Sequence, residues 1–205
     1  MTERDYAVIR ADDPRRDEFE VKGWEVSARS WAGQLTTSTM DTAYLRVLAD
    51  RGREYGELRL VGPDDIAAVL ALDRATLEDY PGGIATRHEP LTPERAVSTA
   101  GRRGFGVFNA SGDALAVTYV ETVGHHAETE FTVVARDYRG QGLGRAVKAG
   151  SILALVDDGV TTFRTGGSAD NAASLAVNQD IGYVLDEHWL TLVRSRGQRW
   201  WRMEN

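Results

Sequence analysis

The sequence of 205 residues contains no cysteine and only five prolines. It also has no apolar run approaching the roughly 20 residues of a membrane span. Without cysteine there is no disulfide framework, no thiolate metal site and no cysteine nucleophile, which fits a reducing compartment, and cytoplasm is the expected location. Glu3, Arg4 and Asp5 lead into no apolar segment of signal-peptide length, so a soluble chain with no membrane partner is expected. An excess of basic charge is missing too: 24 Lys and Arg stand against 31 Asp and Glu, net −7, which argues against nucleic acid as a partner. The four histidines show no metal-ligand spacing, and no metal is expected.

What is present is a sequence with enough apolar residues, 42%, for one ordinary core, and without internal repeats. A boundary is expected near Gly52 to Gly56. Residues 1–57 form an N-terminal extension packed on the main domain, with strands Tyr6–Ile9 and Trp24–Ala28 and a helix carrying Tyr44, Leu45, Val47 and Leu48 on one side. The main domain, 58–205, opens with a strand, Leu58–Val61, and a helix marked by Ile66, Val69, Leu70 and Leu77. The stretch from Tyr80 to Pro90 is loop-like. Thr92-Pro93 then supplies an N-cap and first-turn proline for a short helix reaching Ala100. Phe105–Phe108 and Ala114–Val120 form a hairpin across Asn109–Asp113.

The next strand, Glu128–Ala135, alternates with Phe131, Val133 and Ala135 on one face and Glu128, Glu130, Thr132 and Val134 on the other. An amphipathic helix spans 145–158, with Gly159 as its stop; strand Val160–Thr165, a helix from Asn171 to Ile181 and Gly182 follow. Tyr183–Leu185 and Trp189–Val193 read as closing strands, and Trp200-Trp201 must bury or meet a partner. Two successive β-α units imply parallel strands there. The expected fold class is α/β, with a mixed, mostly antiparallel central sheet holding one splayed parallel strand pair, flanked by helices.

The sharpest local signal is Arg139-Gly140-Gln141-Gly142-Leu143-Gly144-Arg145, between a strand and a helix. Glycines leave backbone N–H groups open to close approach by a phosphate, and the helix start adds the favourable end of its dipole. The alternatives are a glycine-rich turn that serves packing alone and a dinucleotide site, with Asp157 or Asp158 as its acidic residue. A P-loop would need Lys-Ser or Lys-Thr where Arg145-Ala146 stands.

With these residues in view, the chain resembles the GNAT superfamily of acyl-CoA-dependent N-acetyltransferases. The loop matches the pattern Arg/Gln-x-x-Gly-x-Gly/Ala as Arg139, Gly142 and Gly144, Ala127–Val134 precedes it, and Asn171–Tyr183 is similar to the closing helix. The Asn178-x-x-x-Gly182 variant resembles the branch that includes mycothiol synthase. The resemblance implies acetyl-CoA in a V-shaped opening between two parallel strands. Its pantetheine would bond to backbone of Thr132, Val133 and Val134, its pyrophosphate to residues 139–145, and Asn171 and Ser174 would lie beside the arm. The implied reaction is acetyl transfer to a primary amine of a small molecule or protein, and a homodimer is compatible with it.

Transfer to an amine needs a proton acceptor for the ammonium and polarisation of the thioester. The resemblance implies a glutamate on the strand before the loop, here Glu128 or Glu130; each also reads as a solvated carboxylate on a half-exposed strand. His125 and His126 lie just upstream, and His88 and His188 have no context. The family's usual tyrosine acid falls at Asn178, an amide that cannot act as an acid. A non-catalytic CoA-binding sensor or assembly domain is therefore the alternative to an enzyme. A nucleotide-binding protein is a third reading.

Overall fold

The computed structural model describes residues 4–81 and 83–195; Trp200-Trp201 lies outside the described residues. In chain order the elements are β1 (Arg4–Arg10), α1 (Arg16–Val21), β2 (Glu25–Thr36), α2 (Thr42–Gly52), β3 (Glu57–Leu60), α3 (Ile66–Thr76), α4 (Pro93–Ala96), β4 (Arg102–Phe108), β5 (Ala114–Val123), β6 (His126–Val134), α5 (Leu143–Asp157), β7 (Thr162–Ser168), α6 (Ala172–Ile181) and β8 (Val184–Ser195). The strands form one sheet in the order β1-β8-β2-β7-β6-β5-β4-β3. Neighbours are antiparallel except β6 and β7, which run parallel. This is the mixed α/β arrangement expected from the sequence. No helix among the described residues is long and apolar enough to cross a membrane.

Local chemistry sets the ends of these elements. Asp41 caps α2 by accepting from the backbone of Tyr44 at 2.9 Å, Asn171 caps α6 through Ser174 N at 3.0 Å, and Thr92 caps α4 with Pro93 behind it. In the β4–β5 turn, Asn109 Oδ1 accepts from the backbones of Ser111 and Asp113, both at 2.9 Å, so one side chain closes the hairpin.

Apolar residues cover both faces of the sheet. On one, Leu35, Val107 and Phe163 pack with Leu45 and Leu48 of α2 and Val147 and Leu155 of α5. On the other, Val117, Tyr119, Phe131 and Val133 pack with Val69 and Leu72 of α3. That double cover explains why β5 is buried continuously from Ala114 to Val120, with no polar alternation.

Several expectations need correction. Within residues 1–57, β2 lies inside the sheet between β8 and β7, and α2 packs in the principal core. The strand begun at Glu25 runs twelve residues, because β7 and β8 pair along it. Tyr44 and Val47 are 37% and 50% exposed, since α2 turns Leu45, Leu48 and Ala49 inward. The helix after Pro93 stops at Ala96, where Ser98 turns the chain by bonding Val61 O and Gly104 N. The two closing strands are one, β8, and the short helix α1 was not anticipated.

Candidate functional site

The parallel pair is short. β6 and β7 pair only where His126–Glu128 face Thr162–Arg164. Beyond that point β6 stays with β5 to Val134 while β7 stays with β2 to Ser168, so the strands part. Among the described residues the edge of β6 from Thr129 to Val134 has no strand partner on the β7 side, and Thr132, Val133 and Val134 lie on it. Tyr119 faces Phe131 and Val120 faces Thr129, leaving Glu130 as the extra residue of a bulge where the strands separate.

At the far end of β6 the glycine loop follows. Gly140 and Gly142 have φ of +75° and +90°, and Gly142 starts α5 with no side-chain cap on the helix. The first N–H groups of α5 are therefore without a capping side chain, a pattern that suits an anion. A cleft of about 400 Å³ opens there, lined by Gly140, Gln141, Gly142, Arg145, Arg51 and Asp180, among others. Arg145 Nε lies 2.6 Å from Asp180 Oδ2, and the Tyr44 hydroxyl donates to Asp180 at 3.1 Å. Leu143 is buried and so offers its backbone alone.

The side chain of Arg139 is held within the protein. Its guanidinium donates to Asp79 at 2.6 Å and to Val134 O at 3.1 Å, and Arg136 grips the same Asp79. Those hydrogen bonds hold the Asp79 carboxyl well below its usual range. Arg139 thus braces the loop against the segment after α3. Asn171 is likewise committed to capping α6, while Ser174 lies beside Asn178.

A buried polar seam runs through the parting of the strands. Lys148 of α5, 4% exposed, donates to Thr165 Oγ1 of β7 at 3.2 Å, and desolvation pulls it down to about 7. Its Nζ lies 5.5 Å from the ring centre of Tyr183, whose hydroxyl lies near Thr129 of β6. Asn178 donates to Ser174 O at 2.8 Å, while its Oδ1 is buried without a partner among the described residues.

Glu128 and Glu130 do share a face, but it is that of Phe131. The bulge resets the alternation, and Glu130 meets Arg95 and Arg102, whose guanidinium sits 4.3 Å over the Tyr119 ring. Burial raises the Glu130 carboxyl, but hydrogen bonds from Arg102 and from Glu121, with the arginine charges, outweigh it and hold it below its ordinary value. Glu121 is raised in turn, chiefly by that bond with Glu130. Glu128 is exposed and stands opposite Glu121. His125 and His126 sit at the closed end of the β6–β7 pair, and His125 Nδ1 is 2.8 Å from Gly159 O, away from the opening.

His88 is the residue that sequence reasoning passed over. Its Nε2 lies 2.6 Å from Asp73 Oδ1, and its ring sits between Tyr80 and Phe131, centroids 4.4 Å away on either side. The one feature in the sequence that bears on it is the loop-like stretch from Tyr80 to Pro90, which carries it.

A mixed sheet with one splayed parallel pair and a glycine loop leading into a helix is the fold of the GNAT acetyltransferases. Among solved structures the chain is similar to a GCN5-related N-acetyltransferase from Sphaerobacter thermophilus, at 13% identity and TM-score 0.70, over 95% of this chain and 60% of that one. It is also similar to a tandem GNAT protein from the clavulanic acid biosynthesis pathway, at 21% and 0.65, over 95% and 64%. The Escherichia coli ribosomal-protein-S18-alanine N-acetyltransferase matches at 18% and 0.52, over 73% and 99%. The chain thus spans less than two thirds of the first two. No protein-family model and no curated protein matches the sequence.

Proposed function

We propose that the protein transfers an acetyl group from acetyl-CoA to a primary amine of a small molecule or protein. The observation that carries this reading is the open edge of β6 from Thr129 to Val134, leading directly to a glycine loop at an uncapped helix start. An extended arm with amide groups can pair with that edge as a further strand would, and a pyrophosphate can take the N–H groups of the loop. The residues fit such a co-substrate. Among the described residues the buried Asn178 Oδ1 has no donor, and no atom lies within 4 Å of where side chains would project from Gly140 and Gly142. Acetyl-CoA supplies the activated thioester; the chain's own task is to hold it, exclude water and accept the protons of the amine.

Of the two glutamates considered as base, Glu130 is ion-paired with two arginines and Glu128 is solvated. Glu130 is best suited to ordering this face, and Glu128→Gln is expected to leave cofactor affinity intact.

Calorimetric titration with acetyl-CoA tests the binding half. The wild type should bind saturably. Gly142→Val, forced to a φ costing of the order of 1–3 kcal/mol for a side-chain-bearing residue, should bind at least about tenfold more weakly. Equal affinity in the two proteins would remove the loop from the site. Release of free thiol across a library of amines tests the transfer. Binding without amine-dependent release would favour the sensor reading, for which Asn178 at the position of the family's tyrosine is the specific observation.

A further inference from the structure

The face of β6 turned toward α3 carries a second constellation. Asp73 of α3 is only 1% exposed, and its carboxylate is divided between two donors: His88 Nε2 at 2.6 Å and the backbone of Leu91 at 2.9 Å. One carboxylate therefore fixes both the tautomer of the imidazole and the loop that bears it, leaving Nδ1 as the ring nitrogen that Asp73 does not hold. The His88 ring lies against Phe131, the residue next to the bulge on the open stretch of β6. On its other side Tyr80 stacks at 24°, with its hydroxyl buried and lacking any partner among the described residues. A buried hydroxyl without a partner is a cost that a bound ligand can remove.

We propose that Asp73 and His88 form the proton-accepting pair for the acceptor amine, with the Tyr80 hydroxyl as proton donor to the departing sulfur. The proposal rests on the acetyl-transfer reading above and places its chemistry on the α3 face of β6. His88 and Tyr80 are then catalytic residues and Asp73 a positioning residue. The protons balance. Of the three on an ammonium acceptor, one passes through His88 to solvent, and the resulting amine forms its N–C bond as the C–S bond breaks. The second leaves the nitrogen on bond formation and restores the proton that Tyr80 gives the thiolate; the third stays on the amide. Burial and the Asp73 charge keep the Tyr80 phenol protonated until then. The charged groups around the stack are Asp73 of α3, Arg139 near Tyr80, and Arg102, Glu130 and Asp65 near Tyr119, which stacks behind Phe131.

The test uses the full chain, acetyl-CoA and the amine library, reading thiol release against pH. His88→Gln should lower kcat/KM by about 10²- to 10⁴-fold, the range expected for a lost general base. Its acetyl-CoA affinity should remain within about twofold, and the histidine inflection should vanish from its pH profile. Asp73→Asn should retain part of the rate, and adding it to His88→Gln should cause no further loss, a non-additivity that damage to packing alone would not produce. Tyr80→Phe should lower kcat while leaving KM for acetyl-CoA unchanged. If His88→Gln fails to fold, the imidazole of wild-type His88 can be titrated by NMR, and its midpoint must coincide with the kinetic inflection. An unchanged pH profile in folded His88→Gln, or a midpoint that does not coincide, overturns the pair while acetyl transfer stands. A wild type that releases no thiol with any amine overturns both.

Discussion

Lys148 is buried among apolar neighbours of α5 and the sheet, with the Thr165 hydroxyl at 3.2 Å and the Tyr183 ring as its polar surroundings. Its ordinary value is 10.5 and burial lowers it to about 7 in the fold. Above 10.5 the amine is neutral in both states and favours neither. As the pH falls toward 7, the unfolded chain takes up a proton that the fold excludes, so stability drops through that window and levels off below it. Lys148→Met should abolish this slope and raise stability at pH 7 by roughly 1–4 kcal/mol, the gain seen when buried charge is replaced by a well-packed apolar group. Urea unfolding at pH 7 and pH 10 checks it; an identical slope in the variant would show that the lysine is not the titrating group. The helical spacing of 145–158 was readable, but nothing in it told that position 148 faces the sheet, because a single lysine in an amphipathic helix normally lies on the solvent side. His88 is barely more legible: beyond its place in a loop, its surroundings depend on Asp73, fifteen residues earlier on α3, and on Phe131 of β6.

β6 shows how a strand can be read and yet misfaced. Most of its length is legible, since polar and apolar residues alternate from Glu130 to Val133 and a glycine loop follows, although the strand runs from His126 to Val134 and not from Glu128 to Ala135. The bulge was not, because it is set by pairing with β5 and leaves the alternation in the sequence intact. Counting by twos therefore placed Glu128 and Glu130 opposite Phe131, whereas Glu130 meets Arg102 on Phe131's own side. The separation of β6 from β7 was likewise carried by resemblance alone; residue types do not announce where a ladder stops. This element has its own test. Adding CoA should slow amide exchange within residues 129–134 and in the loop 139–145, with little change in β4, which pairs on the far side of β5. Exchange by mass spectrometry resolves these peptides, and protection confined to the loop would mean that the arm does not lie along β6.

At the scale of the whole molecule, the order β8-β2-β7 decides how the chain divides. The shift toward glycine and charge at 52–56 has the look of a linker, and it does lead into a new strand, β3. Composition cannot reveal that the strand before it, β2, is inserted between two strands from the C-terminal third. Such a pairing links residues more than a hundred positions apart, beyond any local pattern. β2 brings Trp31 and Leu35 into the interior at 3% and 1% exposure, and α2 brings Leu45 and Leu48 at 0% and 3%. Each such side chain contributes about 1.5–3 kcal/mol by burial, against a typical total stability of about 5–15 kcal/mol. Deleting residues 1–57 would also leave β7 and β8 with open edges on both sides of the gap, in a region prone to pair with other chains. The fragment 58–205 is therefore expected to lack a cooperative unfolding transition and to aggregate, and adding residues 1–57 as a separate peptide should recover ordered structure in part. Calorimetry on the two preparations settles the division. A fragment that unfolds cooperatively and binds acetyl-CoA as the full chain does would show that the N-terminal residues are dispensable after all, and that the sheet can close without β2.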